Sequence, residues 1–323
     1  MRGFFVYRGE YMSKPFKTID EQIEILKNRG LNVTDEEKAK RTLLCNNYYN
    51  VINYYSKFFM INNADTYCND ARFDEIISVY YFDKEIKSLF FKATIDIEKC
   101  LKSLIAYYFS EVHPEDYSYL NINNFNCSKI TKTVSLISSI SRTLTKMEKE
   151  KRPNAVKHYI NKHQNVPLWV VINYMTFGQV IQFYELMKDS EKNKIAKQYS
   201  ILANESLGVN TIKISSKDLL AYLENIHEVR NIVAHSNKLI GFQCRHHIPY
   251  LPEIHSFYGI NASDDKQDVY NVFIIMRVFL SSGNFEVFSN SLKKRMKKLA
   301  KSLNSIDANK ITSHLGFPTD WFK

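Results

Sequence analysis

Glycine and proline are scarce in this chain, 9 and 7 residues among 323. So few turn-formers argue for long helices, and against a sandwich, a barrel or a doubly wound sheet. The cysteines Cys45, Cys68, Cys100, Cys127 and Cys244 include no CxxC pair. Scattered thiols of this kind fit a reduced, mostly buried set in the cytoplasm. No apolar run approaches the ~18 residues that a membrane span requires. The opening "MRGFFVYRGEYMSKPFK" lacks the apolar core and small-residue cleavage site of a signal peptide. A cytoplasmic protein with no membrane partner is the expectation. No acidic metal-binding motif is visible, and Cys244, His246, His247 and His255 have no recognised ligand spacing. No metal or other cofactor is therefore expected.

What the chain has in plenty is aromatics and positive charge. Tyr and Phe number 21 each, so the core is built on rings. Lys and Arg outnumber Asp and Glu by 44 to 34, giving a formal net charge of +10. Such a surface favours polyanions, nucleic acid or anionic lipid. A charge excess that merely solubilises is the competing reading.

Hydrophobic periodicity assigns most of the chain to helix. "KPFKTIDEQIEILKNRGL" has a Thr18 cap, Glu21 three residues on and Ile19, Ile23 and Leu26 at helical spacing, with Gly30 to close it. A second helix begins near Thr34 and runs into the tyrosine-rich "CNNYYNVINYYSKFF". Residues 73–111 carry the longest signal, with Ile86, Leu89, Phe90, Ala93, Ile97, Leu101, Leu104 and Tyr108 on one face and Pro114 beyond the end. Residues 129–163 are polar and basic. "VPLWVVINYMTFGQVIQFYELM" reads as a helical pair around Gly178, and a further helix begins after Ser215. Residues 240–268 have the weakest helical pattern and read as a loop with a small hairpin. Helix resumes in "DVYNVFIIMRVFLSS" and "NSLKKRMKKLAKSL". The fold class is all-α, with an N-terminal arm (1–40), a helical core (41–245) and a loop with a basic C-terminal helical extension (246–323).

One stretch, "VRNIVAHSNKL", breaks its own pattern. At 100° per residue, Leu219, Tyr222, Leu223, Ile226, Val229 and Val233 cluster on one side, and Arg230 lies among them. A guanidinium there is costly unless it meets a carboxylate, a subunit boundary or a phosphate. Asn231 and His235 share a neighbouring face with Glu224 and Glu228. An arginine that offers fixed donors to a phosphate, an imidazole that moves protons near neutral pH and a positioning amide suit RNA cleavage by the RNA's own 2′-hydroxyl. The competing reading is an arginine bridged to a buried glutamate and a histidine satisfied at a helix end. Arg230 and His235 stand about 140° apart on an ideal helix, so they converge only if the helix loosens near Ala234 or a second helix or protomer completes the site.

"RNIVAH" resembles the R-N-x-x-A-H form of the Arg-x4–6-His motif of HEPN ribonucleases. "KPFKTIDEQIEILKNRGL", "FDEIISVYYFDKEIKSLF", "IDIEKCLKSLIAYYF", "VPLWVVINYMTFGQV" and "LGFPTDWF" resemble, in order and over most of the chain, the Abi-like abortive infection proteins of bacteria, the AbiD/AbiF group. The resemblance implies a HEPN-like helical bundle, an RNase role in phage defence and a composite site formed by a homodimer. Some relatives act with a small noncoding RNA. On this resemblance Arg230, Asn231 and His235 are the catalytic candidates and Glu98 a supporting one. Lys102 departs from it, standing where arginine is expected.

RNA contact is expected from two basic stretches. "SLKKRMKKLAKSL" carries Lys293, Lys294, Arg295, Lys297, Lys298 and Lys301, and the other stretch runs from Arg142 through Lys146 to Lys162. A solvated terminal helix and a membrane-surface helix are the alternatives for the first. The NYY clusters at Asn47-Tyr48-Tyr49 and Asn53-Tyr54-Tyr55 could stack bases, though core packing is the favoured reading. The expected function is a metal-independent endoribonuclease with RNA as partner. Its rival is a catalytically silent HEPN scaffold holding a cognate noncoding RNA.

Overall fold

The structure is a computed structural model describing residues 15–61, 65–235 and 237–323. It is all-α, and the described residues contain only isolated β-bridges outside the helices. The chain divides into two compact units: residues up to Tyr80 with Lys301–Asp307, and Tyr81–Ala300 with Ala308–Lys323.

In the first unit, α1 (Ile19–Asn28) starts on the foreseen capping box, in which Thr18 accepts from the Glu21 backbone and Glu21 answers to Thr18. It buries Ile23 and Leu26 and packs on α2 (Glu36–Asn46). The tyrosine-rich segment does not prolong α2. Asn47 turns to φ 62°, which ends the helix, and a single π-helical turn (Tyr49–Asn53) and a 3₁₀ turn (Ser56–Phe59) come after it. Its rings divide between roles: Tyr55 is core, whereas Tyr49 is exposed and meets Tyr54 edge-on. The buried Glu75 carboxylate binds the backbone N–H groups of Asn304 and Ser305, tying the 301–307 segment into this unit.

The helix α3 (Phe73–Val112) is as long as its pattern promised, and Ile86, Phe90, Ala93, Ile97 and Leu101 are buried. The second unit continues with α4 (Ile130–Lys149), α5 (Ala155–His163), α6 (Leu168–Val171), α7 (Phe177–Leu186), α8 (Asp189–Leu207) and α9 (Ser216–Ala234). The helical pair around Gly178 breaks earlier than the glycine: Thr176 and Gln179 form a capping box, so Gly178 lies in the first turn of α7. The helix α8 had no distinct pattern in the sequence because its polar residues are dense, yet it buries Ile195, Ala196, Tyr199 and Ala203.

The loop region contains a single antiparallel bridge, Gln243 to Asp268, and a short helix, α10 (Pro252–His255), rather than a hairpin. Next come α11 (Val269–Ile275), α12 (Ser282–Ser302) and α13 (Asn309–Thr312). Every residue of α11 is buried, the mark of a helix surrounded by others. It packs on α9, which also contacts α7 and α8. "LGFPTDWF" closes this unit, with Phe317 and Trp321 packed on Tyr270 and Phe273. Gly316 has φ 86°, and a Cβ there would overlap the Asp268 carboxylate, so only glycine fits. The five cysteines are free, as expected of a reduced set, but only Cys244 is buried; Cys45 and Cys127 are exposed. No helix among the described residues is long and apolar enough to cross a membrane.

Candidate functional site

Ser215 caps α9 by accepting from the Asp218 backbone, and Leu219, Tyr222, Leu223, Ile226, Val229 and Val233 are buried along the inner side. Arg230 is half-buried at the margin of this stripe rather than sealed within it. Among the described residues no carboxylate lies within ion-pair distance of its guanidinium. Its one hydrogen bond runs from Nη1 to Oδ1 of Asn231, at 3.4 Å. The bridged-arginine alternative therefore finds no glutamate within the described chain. Glu228 is committed elsewhere, accepting from the backbone N–H and Nε of Arg245 at 3.0 and 3.1 Å.

Asn231 passes the connection on, its Nδ2 donating to Nε2 of His227 at 3.2 Å. An amide nitrogen only donates, so Nε2 must carry the lone pair and the ring proton must sit on Nδ1. The electrostatics agree. Burial holds His227 below the usual imidazole range and the Arg230 cation adds to the effect, while Glu228 and Glu98 act the other way. The ring packs edge-on against Phe177 and comes so close to α7 that a Cβ at Gly178 would lie 3.1 Å from both Cε1 and Nε2. His227 was not singled out by spacing. Its position four residues before Asn231 was the available signal, since i and i+4 side chains meet on a helix.

His235 stands apart from this chain of contacts. The helix stops at Ala234, and His235 is its C-cap, exposed, with its backbone N–H donating to the Asn231 carbonyl at 3.1 Å. No hydrogen bond joins His235 to Arg230 among the described residues. The backbone at residues 237–240 is held firmly nonetheless. The buried Asp83 carboxylate on α3 accepts from the backbone N–H groups of Leu239 and Ile240 at 3.1 and 3.0 Å. Lys87 pairs with Asp83 at 3.0 Å and donates to the Asn237 carbonyl at 3.1 Å. A buried carboxylate is tolerated only when its charge is met in this way. Its sequence signal was an aspartate in an apolar stripe, between Phe82 and Ile86.

Farther along α3, Glu98 forms a largely buried ion pair with Lys102, the residue that departs from the expected arginine, at 2.8 Å. The two basic stretches differ. On α12, Arg295 and Lys298 both bind Glu85, at 2.7 and 3.0 Å, and Lys293 lies over the Trp321 ring. Only Lys294, Lys297 and Lys301 make neither kind of contact among the described residues. On α4, α5 and the connection between them, none of the seven basic residues from Arg142 to Lys162 has a carboxylate within ion-pair distance among the described residues, and Arg142 and Lys146 are exposed. Among the described residues, Cys244 and His255 belong to no group of three or more His, Cys, Asp or Glu side chains that could hold a metal ion. The Cys244 thiol lies against the Asn225 carbonyl, and burial pushes it up to about 12. The His255 Nδ1 faces the Leu251 backbone.

A family model described as Abi-like protein matches residues 41–241, which include α3, the Glu98–Lys102 pair and all of α9. No curated protein and no solved structure matches the chain.

Proposed function

We propose, starting from the fact that this chain belongs to the Abi-like protein family, that it is an RNA-binding endoribonuclease of HEPN type. Family membership itself suggests a part in abortive infection, the defence of bacteria against phage. The observation that carries the enzymatic reading is the state of Arg230: half-buried, without a carboxylate among the described residues, and oriented by the neutral Asn231 amide. A cation held in this way is available to a phosphate, and the helix end beside it presents an exposed histidine.

In the proposed reaction the RNA 2′-hydroxyl oxygen attacks the adjacent phosphorus, and the bond from phosphorus to the 5′-oxygen breaks. One imidazole takes the 2′-hydroxyl proton and another acid protonates the leaving 5′-oxygen. Arg230 offsets the charge that accumulates on the phosphoryl oxygens. His235 of one protomer and the same histidine of a second copy would supply the two proton-transfer groups, which is why a homodimer belongs to the proposal. Lys294, Lys297, Arg142 and Lys146 would hold the backbone of the RNA.

The test is the chemistry of the ends. Cleavage should yield a 2′,3′-cyclic phosphate and a 5′-hydroxyl, persist in excess EDTA and fail on RNA carrying a 2′-deoxy at the cut site. Fragments ending in 3′-hydroxyl and 5′-phosphate would overturn the mechanism. One observation favours a second reading: no hydrogen bond joins Arg230 to His235 among the described residues. A strictly monomeric protein that binds RNA but never cuts it would be the silent scaffold, holding a noncoding RNA of its own.

A further inference from the structure

A cavity of about 960 Å³ opens between the middle of α3 and α6. That volume lies in the range of sites that hold a small ligand, and larger than packing leaves by accident. Its walls include Lys99, Ser103 and Tyr107 on α3, and Trp169 and Asn173 on and after α6. The two rings are turned outward, Trp169 56% and Tyr107 63% exposed.

Several polar groups of the wall are uncommitted. Among the described residues, the Lys99 ammonium meets no carboxylate, and neither the Ser103 and Tyr107 hydroxyls nor the Trp169 indole N–H makes a hydrogen bond. The Asn173 amide nitrogen is occupied by the Trp169 carbonyl at 2.8 Å, which leaves its carbonyl oxygen free. The acidic groups at the rim are already neutralised, Glu98 by Lys102 and Glu111 by Lys194. The wall thus offers two aromatic faces, a free cation and several unpaired donors and acceptors. A purely apolar occupant would leave those donors and acceptors without partners. A planar ring with polar edges and a nearby phosphate carries the donors, acceptors and negative charge that could meet them.

We propose that this cavity seats an unpaired nucleobase of the bound RNA strand, stacked on Trp169 or Tyr107, with Lys99 on the neighbouring phosphate. The inference rests on the RNA-cleavage reading and specifies its substrate as single-stranded.

The test uses the full chain carrying His235→Ala, so that binding is read without cleavage. The probes are a fluorescein-labelled unstructured RNA oligonucleotide and a blunt RNA duplex of the same sequence. Stacking of a base on an aromatic side chain contributes about 1–3 kcal/mol, so adding Trp169→Ala should weaken single-strand binding by about 5- to 150-fold. Duplex binding should hold, and Trp169→Phe should retain most of the affinity. Lys99→Glu should weaken the single strand and flatten its salt dependence. Unchanged single-strand affinity in a variant carrying both Trp169→Ala and Tyr107→Ala, or an equal loss for duplex, overturns the proposal. So does a change in solution mass on substituting Trp169 or Tyr107, which would assign the face to a second copy of this chain. A selective single-strand loss in a protein that never cuts RNA would leave the base site standing and remove the cleavage reading. Cutting by the otherwise wild-type protein at unchanged KM with Trp169→Ala would do the reverse.

Discussion

The two ends of the Arg230–His235 segment are built on different principles. At its inner end His227, Asn231 and Arg230 form a chain of hydrogen bonds, half-buried, with each partner dictating the next one's orientation. At its outer end the His235 side chain makes no hydrogen bond or ion pair among the described residues, and only its backbone is held, by the Asn231 carbonyl. The inner end is organised before any ligand arrives. The outer end is organised at the backbone and open at the side chain, as the proposed proton transfer by His235 would require. Residues that look equivalent in a motif therefore differ in how the chain holds them.

The largest expected effect lies at the outer end. His235→Ala should lower cleavage by about 10²–10⁴-fold, the usual contribution of a positioned acid–base group, with the melting temperature almost unmoved. A large stability loss in that variant would erase the contrast between the two ends. Arg230→Ala should likewise keep its stability and lose cleavage, since no buried carboxylate is left behind; a large stability loss would indicate a structural role.

Asp83→Ala should act on the backbone just beyond His235. Removing one partner of a buried ion pair commonly costs about 3–5 kcal/mol, and the Leu239 and Ile240 N–H groups would lose their acceptor too. Urea unfolding measures this, and a loss below about 1 kcal/mol would show that the loop does not depend on Asp83.

Smaller effects should separate the basic stretches. Replacing Arg142 and Lys146 by Glu should weaken RNA binding by well over tenfold at moderate salt, while Arg295→Gln should cost less, because Arg295 already answers to Glu85. Filter binding across a salt series would reveal the order, and the reverse order would move the interface to α12.

The smallest effect concerns the inner end and pH. Because His227 is held below its ordinary value, the unfolded chain takes its proton first as pH falls. The neutral ring's contribution is thus fully present above about pH 6.5 and is lost as pH drops through the lower folded value. His255, also depressed by burial, acts in the same direction. His227→Gln should flatten the acid side of the stability profile measured by thermal unfolding from about pH 7 to about pH 5. An unchanged profile would detach His227 from the chain of contacts.

Much of this was legible in the residues, and the exceptions have physical causes. Thr18 with Glu21 and Ser215 with Asp218 act as caps because capping is local chemistry between residues three apart. Leu89, Leu104 and Tyr108 were placed on the apolar face of α3 but are not fully buried, because over so long a helix the true core stripe drifts to Ile105 and Phe109. Gly178 suggested a break between helices; its place in α7 instead reflects the His227 ring pressing on it from α9. Of the candidate site, Arg230, Asn231 and His235 were legible as a pattern. His227 and Asp83 were not, because each is identified by what touches it.

By itself the sequence determined the all-α class, through scarce turn-formers and helical periodicity, and the Abi-like family. Both are written in the order of residues along one strand of chain. Tertiary structure alone decided which cations pair with a carboxylate among the described residues, and which end of the motif is hydrogen-bonded through its side chains. Glu85 lies more than 200 positions before the lysine it binds, and Asp83 more than 150 before the backbone it holds. Charge pairing over such separations depends on distance in space, and no local pattern encodes it.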